Sequence, residues 1–134
     1  MQLVTIGYEG RAPEELVAML AAAGVTRVID VRALPLSRRP GFSKTPLRDA
    51  LAAAGIDYVH LREAGNPFRK SVDPLGGYRA HLADSPAVVA SVLDAADGHT
   101  AALLCMEHDP TQCHRTILAA AIRRKKRGVS VIEL

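Results

Sequence analysis

Four glycines set the frame for this chain. Gly24-Val25, Gly55-Ile56, Gly98-His99 and Gly128-Val129 each place a glycine after a stretch of helical periodicity and before a β-rich run. Glycine takes the left-handed backbone geometry that ends a helix without a Cβ penalty, so each pair marks a helix-to-strand joint. Four joints after an opening strand give five strands linked by helical crossovers, which run strands parallel. The expectation is an α/β fold: a single three-layer, Rossmann-like domain over residues 1–134, with a mostly parallel sheet of about five strands.

Composition agrees with that frame. A chain of 134 residues buries an ordinary core as one domain and would leave two domains uncomfortably small. Apolar residues make up 49% and aromatics only 4%, so Ala, Leu, Val and Ile must build the core, which suits helices packed on a sheet. Five of the 17 basic residues form one run, Arg123-Arg124-Lys125-Lys126-Arg127, and taking their charge from the net +3 leaves −2 for the rest of the chain. A broad nucleic-acid-binding face is therefore disfavoured. No stretch is long and apolar enough to cross a membrane, and Met1-Gln2-Leu3-Val4 runs directly into a strand, so a cytoplasmic protein is expected. In a reducing compartment its two cysteines are expected as thiols.

The elements follow in order. Leu3–Ile6 is the first strand, and Pro13 opens the first helix, whose Leu16, Met19, Leu20 and Ala23 share one face. Arg27–Arg32 is the second strand, followed by a long polar connection over Ala33–Lys44 of the kind that is usually functional or mobile. Thr45-Pro46 reads as a cap and first residue for a helix with Leu47, Ala50, Leu51 and Ala54 on one face. Ile56–Leu61 is the third strand. Arg62–Gly77 reads as a second long loop lying over the site, with a helical turn or more at Tyr78–Leu82. Ser85-Pro86 caps a helix through Ala95, Thr100–Met106 is the fourth strand, Gln112–Arg127 the last helix and Val129–Glu133 the last strand.

In an open parallel sheet, ligands bind at the carboxyl ends of the strands. The chain sorts its reactive residues to that edge. Tyr8, Glu9 and Arg11 follow the first strand. Asp30, Arg32, Ser37, Arg38 and Arg39 end or follow the second, and His60 and Arg62 the third. Cys105, Glu107, His108, Asp109, Cys113, His114 and Arg115 end or follow the fourth. The opposite edge holds mainly the glycine joints.

Each component also has a plainer role. Asp30 and Arg32 suit a structural ion pair, Arg38-Arg39 a solvated loop, His114 a helix cap, Cys113 a small core residue and Arg123–Arg127 a solvated helix end. For Cys105 to Arg115 three chemistries compete. The first makes Cys105 a thiolate nucleophile, and Val28–Arg32 is similar to a rhodanese strand. Such domains keep their anion loop within about one turn of the cysteine; here Glu107 and Asp109 occupy that window and Arg115 stands ten positions away. The second makes Cys105, His108, Cys113 and His114 zinc ligands, although structural zinc sites draw on separated pairs. In the third, which fits best, the helix start with His114 and Arg115 joins Arg32 and Arg38 or Arg39 to hold a phosphate or carboxylate, while Glu107 or Glu9 acts as base or orients the ligand.

Together, Thr5-Ile6-Gly7-Tyr8-Glu9-Gly10-Arg11, Asp30-Val31-Arg32 with Pro35, Ser37 and Arg38, Gly41-Phe42-Ser43-Lys44, Tyr58-Val59-His60, and Leu104-Cys105-Met106-Glu107 leading to Cys113-His114-Arg115 resemble the domain-of-unknown-function family 488. The resemblance spans nearly the whole chain in order. It implies a compact bacterial or archaeal α/β domain with a shared polar site, and no agreed activity. Two positions depart from the family pattern. Ala12 stands where a capping serine is common, a loss of about 1 kcal/mol, and Glu63-Ala64-Gly65 replaces a Leu-Gly-Gly-like passage.

The expected function is that of a small enzyme acting on a phosphorylated or nucleotide-like ligand. Glu9, Glu107 and His114 are its catalytic candidates, and Tyr8, Arg11, Asp30, Arg32, Ser37, Arg38, Cys105, Cys113 and Arg115 its ligand-binding ones. No metal or cofactor is expected. The alternative is a non-catalytic module binding a protein or, through Arg123, Arg124, Lys125, Lys126 and Arg127, a nucleic acid.

Overall fold

The computed structural model describes residues 1–134. Its five strands, β1 (Gln2–Gly7), β2 (Arg27–Asp30), β3 (Asp57–His60), β4 (Ala101–Cys105) and β5 (Ser130–Glu133), form one sheet in the order β3-β2-β4-β1-β5. Every pairing is parallel. Five helices connect them: α1 (Pro13–Ala22), α2 (Lys44–Ala53), α3 (Pro74–Asp84), α4 (Pro86–Ala96) and α5 (His114–Lys125). The joint glycines Gly24, Gly55, Gly98 and Gly128 all have positive φ, between +74° and +86°, which is the geometry their place in the sequence requires.

Because strand side chains alternate between faces, β1 sends Val4 and Ile6 to one side and Leu3 to the other. The first side packs under α1 and α2 through Leu16, Leu20, Leu47 and Leu51. The second packs under α3, α4 and α5 through Tyr78, Leu82, Val92, Leu118 and Ile122. The result is a three-layer α/β fold. Chain direction explains the layering: β1 to β2 to β3 moves across the sheet one way, and β3 to β4 to β5 returns the other way. Crossovers of one hand then put the early helices on one face and the later ones on the other. Thus β4 lies between β2 and β1, whose outgoing helices leave by the opposite face from its own. A crevice opens at the carboxyl ends of such strands.

The starts of three helices depart from the sequence expectation. Helix α2 starts at Lys44 with Ser43 at its cap position, so Thr45-Pro46 lies within the first turn, where proline forfeits no bond. The Ser43 hydroxyl does not cap; it accepts the Ser37 N–H at 2.9 Å and donates to the Ser37 carbonyl at 3.2 Å. Helix α3 runs through eleven residues from Pro74, where a loop to Gly77 and a turn or more at Tyr78–Leu82 are expected. Asp73 caps it by accepting the Gly76 N–H at 3.1 Å, and buried Tyr78 and Leu82 hold it against the later helices. Helix α5 begins at His114 after a separate 3-10 turn at Pro110–Gln112.

The N–H of Ala12 is also satisfied without a serine. Glu15 reaches back to accept it at 3.3 Å, which recovers half of a capping box.

Candidate functional site

A cleft of about 570 Å³ opens where the topology places it, at the carboxyl ends of β1, β2 and β4. Sites for small molecules typically fall between about 300 and 1,000 Å³. Tyr8 enters from β1, Arg32 from β2, and Cys105, Glu107 and His114 from β4 and the start of α5. These are five of the twelve residues singled out from the sequence. The other seven, Glu9, Arg11, Asp30, Ser37, Arg38, Cys113 and Arg115, lie outside the lining.

The β2 corner is an ion pair with few donors to spare. Arg32 Nε and Nη2 donate to the Asp30 carboxylate at 2.9 and 2.7 Å, and Nη1 donates to the Phe42 carbonyl at 2.6 Å. Tyr58 O–H donates to the same carboxylate. Asp30 is fully buried and Arg32 nearly so. Burial lowers the Arg32 pKa, but the hydrogen bonds and charge of Asp30 outweigh it and leave it above the ordinary value. Burial, with Asp30 adding to it, raises the Tyr58 hydroxyl. Arg32 also lies over the ring of Tyr8, 5.4 Å from its centroid, and Tyr8 stacks on Phe42 at 4.6 Å. Arg32 thus presents a fixed positive flank to the cleft.

Two histidines close the exit from β2. His60 Nε2 donates to the Arg32 carbonyl and His114 Nε2 to the Val31 carbonyl, each at 2.7 Å. With its proton on Nε2, the His114 ring has its lone pair on Nδ1, 4.0 Å from Cys113 Sγ. Burial pushes its pKa below the ordinary 6.5, against the opposing pull of the Val31 carbonyl. His114 is therefore neutral at pH 7, wedged edge-on against Tyr78 at 4.9 Å.

Arg115 is turned away from the cleft. It is wholly buried, and its Nη1 donates to the Glu107 carbonyl at 2.6 Å and points at Cys105 Sγ from 3.2 Å, while Nη2 donates to the His108 carbonyl at 3.3 Å. It belongs to none of the protein's three ion pairs, and its Nε has no partner. Burial lowers its pKa from the ordinary value. The β4–α5 loop is thereby folded back over a buried cation. Gly7 allows this: a Cβ there would sit 1.8 Å from the Glu107 carbonyl oxygen.

The two cysteines are joined as a disulfide, which corrects the expectation of free thiols. The seven intervening residues double back so that the end of β4 meets the cap position of α5. Glu107 Oε2 lies 3.5 Å from Cys105 Sγ. The potential metal-ligand atoms of Cys105, Cys113 and His114 lie within 4.8 Å of one another, without His108. Bonded to each other, the sulfurs offer a metal no thiolate.

The remaining expected residues serve the loops. Glu9 accepts the His108 N–H at 3.3 Å and ties the β1 and β4 loops together. Arg11 donates to the Gly7 and Leu134 carbonyls, and Ser37 accepts the Arg39 N–H. Arg39 reaches the Tyr8 and Arg11 carbonyls. Arg38 is exposed and makes no side-chain hydrogen bond. Arg123–Arg127 are exposed at the far end of α5, about 18 Å from the cleft at 1.5 Å per residue.

The loop expected over the site supplies one wall, through residues that the sequence did not single out. Asn66, Arg69 and Asp73, with Pro74 and Leu75, line the cleft from the second long loop. Asn66 is buried, donates to the Pro74 carbonyl at 3.0 Å and accepts the Phe68 N–H at 2.8 Å. Gly65 presses on Ala33, leaving no room for a Cβ, and so joins this loop to the one after β2. The readable signals were Asn66-Pro67 and Asp73-Pro74, a turn and a helix start. Leu34, Leu36 and Met106 form an exposed apolar lip.

No helix of the protein is long and apolar enough to cross a membrane. No curated protein and no solved structure matches the chain. One family model does, over residues 12–122, and its span takes in every strand except β1 and β5. The chain is therefore a member of the family described as domain of unknown function DUF488.

Proposed function

We propose that the protein is a small enzyme acting on an anionic ligand, phosphorylated or nucleotide-like, in the cleft at the carboxyl ends of β1, β2 and β4. The observation that carries the reading is that Arg69 and Glu107 both line one concave surface. Arg69 is exposed and in no ion pair, so it is free to meet an anion at the mouth. Arg32 adds a positive flank whose charge Asp30 partly balances.

Glu107 is the carboxylate placed to take or orient a proton, and the neutral His114 ring is a second acceptor through Nδ1. The lip of Leu34, Leu36 and Met106 suits the flat apolar face of a base or similar group. Glu9 and Arg115 act in this scheme by shaping the loop that carries Glu107.

The test is a panel of nucleotides and sugar phosphates offered to wild type, Arg69→Ala and Glu107→Gln. Turnover of one class, with binding weakened by Arg69→Ala and turnover lost but binding kept in Glu107→Gln, supports the proposal. Binding confined to nucleic acid, with salt dependence that weakens when Arg123–Arg127 are neutralised, favours a non-catalytic module instead.

A further inference from the structure

The proposed reaction makes no use of the two sulfurs, and Arg115 has no ion pair: the carboxylates of Glu133, Glu107 and Asp109 act on it only at longer range. A guanidinium that is wholly buried, lacks an ion pair and keeps an unpartnered Nε is costly to hold unless something nearby carries negative charge for part of the time. Its Nη1 lies 3.2 Å from Cys105 Sγ, and Cys105 lines the cleft. A cation at that distance favours a thiolate over a thiol, against the opposing carboxylate of Glu107, whose Oε2 lies 3.5 Å from the same sulfur. Cys113 lies within bonding distance of Cys105 but behind the lining.

We propose that Cys105 and Cys113 are a redox-active pair carrying out thiol–disulfide exchange in the cleft, with Cys105 as the attacking thiolate and Cys113 as the resolving cysteine. The substrate class is a small disulfide, and the activity does not depend on the anionic-ligand reading. In the reduced protein the Cys105 thiolate attacks one sulfur of R–S–S–R. The substrate bond breaks, RS⁻ leaves, and a Cys105–S–S–R mixed disulfide forms. Cys113 then gives up its proton, for which His114 Nδ1 stands 4.0 Å away as an acceptor. Its thiolate attacks Cys105 Sγ and expels the second RS⁻. Two electrons pass from the pair to the substrate, leaving the Cys105–Cys113 disulfide seen here. A dithiol reductant returns it to the start.

The experiment uses full-length protein, reduced with dithiothreitol and desalted, with 5,5′-dithiobis(2-nitrobenzoate) as the disulfide probe. Wild type is expected to release both thionitrobenzoates and retain none. Cys113→Ser should release one and hold the other on Cys105 by mass, and Cys105→Ser should react slowly or not at all while folded. In Cys113→Ser, alkylation of Cys105 should follow pH with a midpoint below the ordinary thiol value of about 8.5. Adding Arg115→Met should slow that alkylation about tenfold at neutral pH; if this variant does not fold, the midpoint in Cys113→Ser decides alone. A midpoint at or above about 8.5, an adduct on Cys113 in place of Cys105, or stoichiometric tight zinc in the reduced wild type would overturn the proposal.

Discussion

Arg115 Nη1 stands 3.2 Å from Cys105 Sγ, although the two residues are ten positions apart and belong to different elements. The same nitrogen donates to the Glu107 carbonyl. One buried guanidinium thus ties together the end of β4, the loop after it and the first turn of α5. Replacing it by alanine strands the Glu107 and His108 carbonyls and leaves a cavity. The expected loss is about 3 kcal/mol or more in urea denaturation. A loss under about 1 kcal/mol would mean that the loop holds itself.

Gly7→Ala should be among the more damaging glycine changes, and for an unusual reason. Gly7 has no positive φ; the obstacle is the Glu107 carbonyl, 1.8 Å from where the Cβ would stand. That contact is backbone and cannot swing aside. We expect about 2–3 kcal/mol of destabilisation, with shifted amide resonances for Glu107. Gly24→Ala, where nothing lies within 4 Å and only the positive φ opposes a side chain, should cost about 1–2 kcal/mol.

Asp30 and Arg32 are each other's main partner, at 2.7 Å and almost out of solvent. Arg32→Ala leaves a buried carboxylate with Tyr58 and one backbone N–H as donors. It should destabilise by about 3–5 kcal/mol. Adding Asp30→Asn should recover part of that loss, and a double-mutant cycle by chemical denaturation measures the coupling. Additivity of the two changes would contradict the pairing.

His114 makes stability depend on pH. Its folded pKa lies below 6.5 because it is buried, so as pH falls the unfolded chain takes up this proton first. The sign follows: stability is intact above the unfolded pKa of about 6.5, declines as pH drops from there towards the folded value, and levels off below it. In His114→Gln this segment of the slope should vanish. Denaturation curves taken on either side of about pH 6.5 in both proteins check it; parallel pH profiles would rule it out.

The frame was readable because it rests on local chemistry. The four joint glycines have no alternative that takes positive φ so cheaply, and the apolar spacing in α1 and α2 allowed one buried face. Helix α3 was not readable in the same way. Gly76 and Gly77 dilute its helical signal, and its stability comes from Tyr78 and Leu82 packing on the later helices. The cleft's near side, Tyr8, Arg32, Cys105, Glu107 and His114, follows from sorting residues by strand end. What sequence spacing hides is a chain that doubles back. The fold of the loop over residues 106–112 turns a ten-residue separation into a contact between Arg115 and Cys105, and brings Cys113 onto Cys105. It also turns Arg115 inward, away from the ligand face where its neighbours suggest it should be.

The most direct test of the central claim is an amide map of residues 1–134 titrated with a nucleoside phosphate. The account predicts that shifts concentrate at Tyr8, Arg69, Glu107 and His114, that they saturate, and that they persist when Arg123–Arg127 are neutralised. Shifts confined to the carboxyl end of α5, abolished by that neutralisation and leaving the cleft amides unmoved, would contradict it.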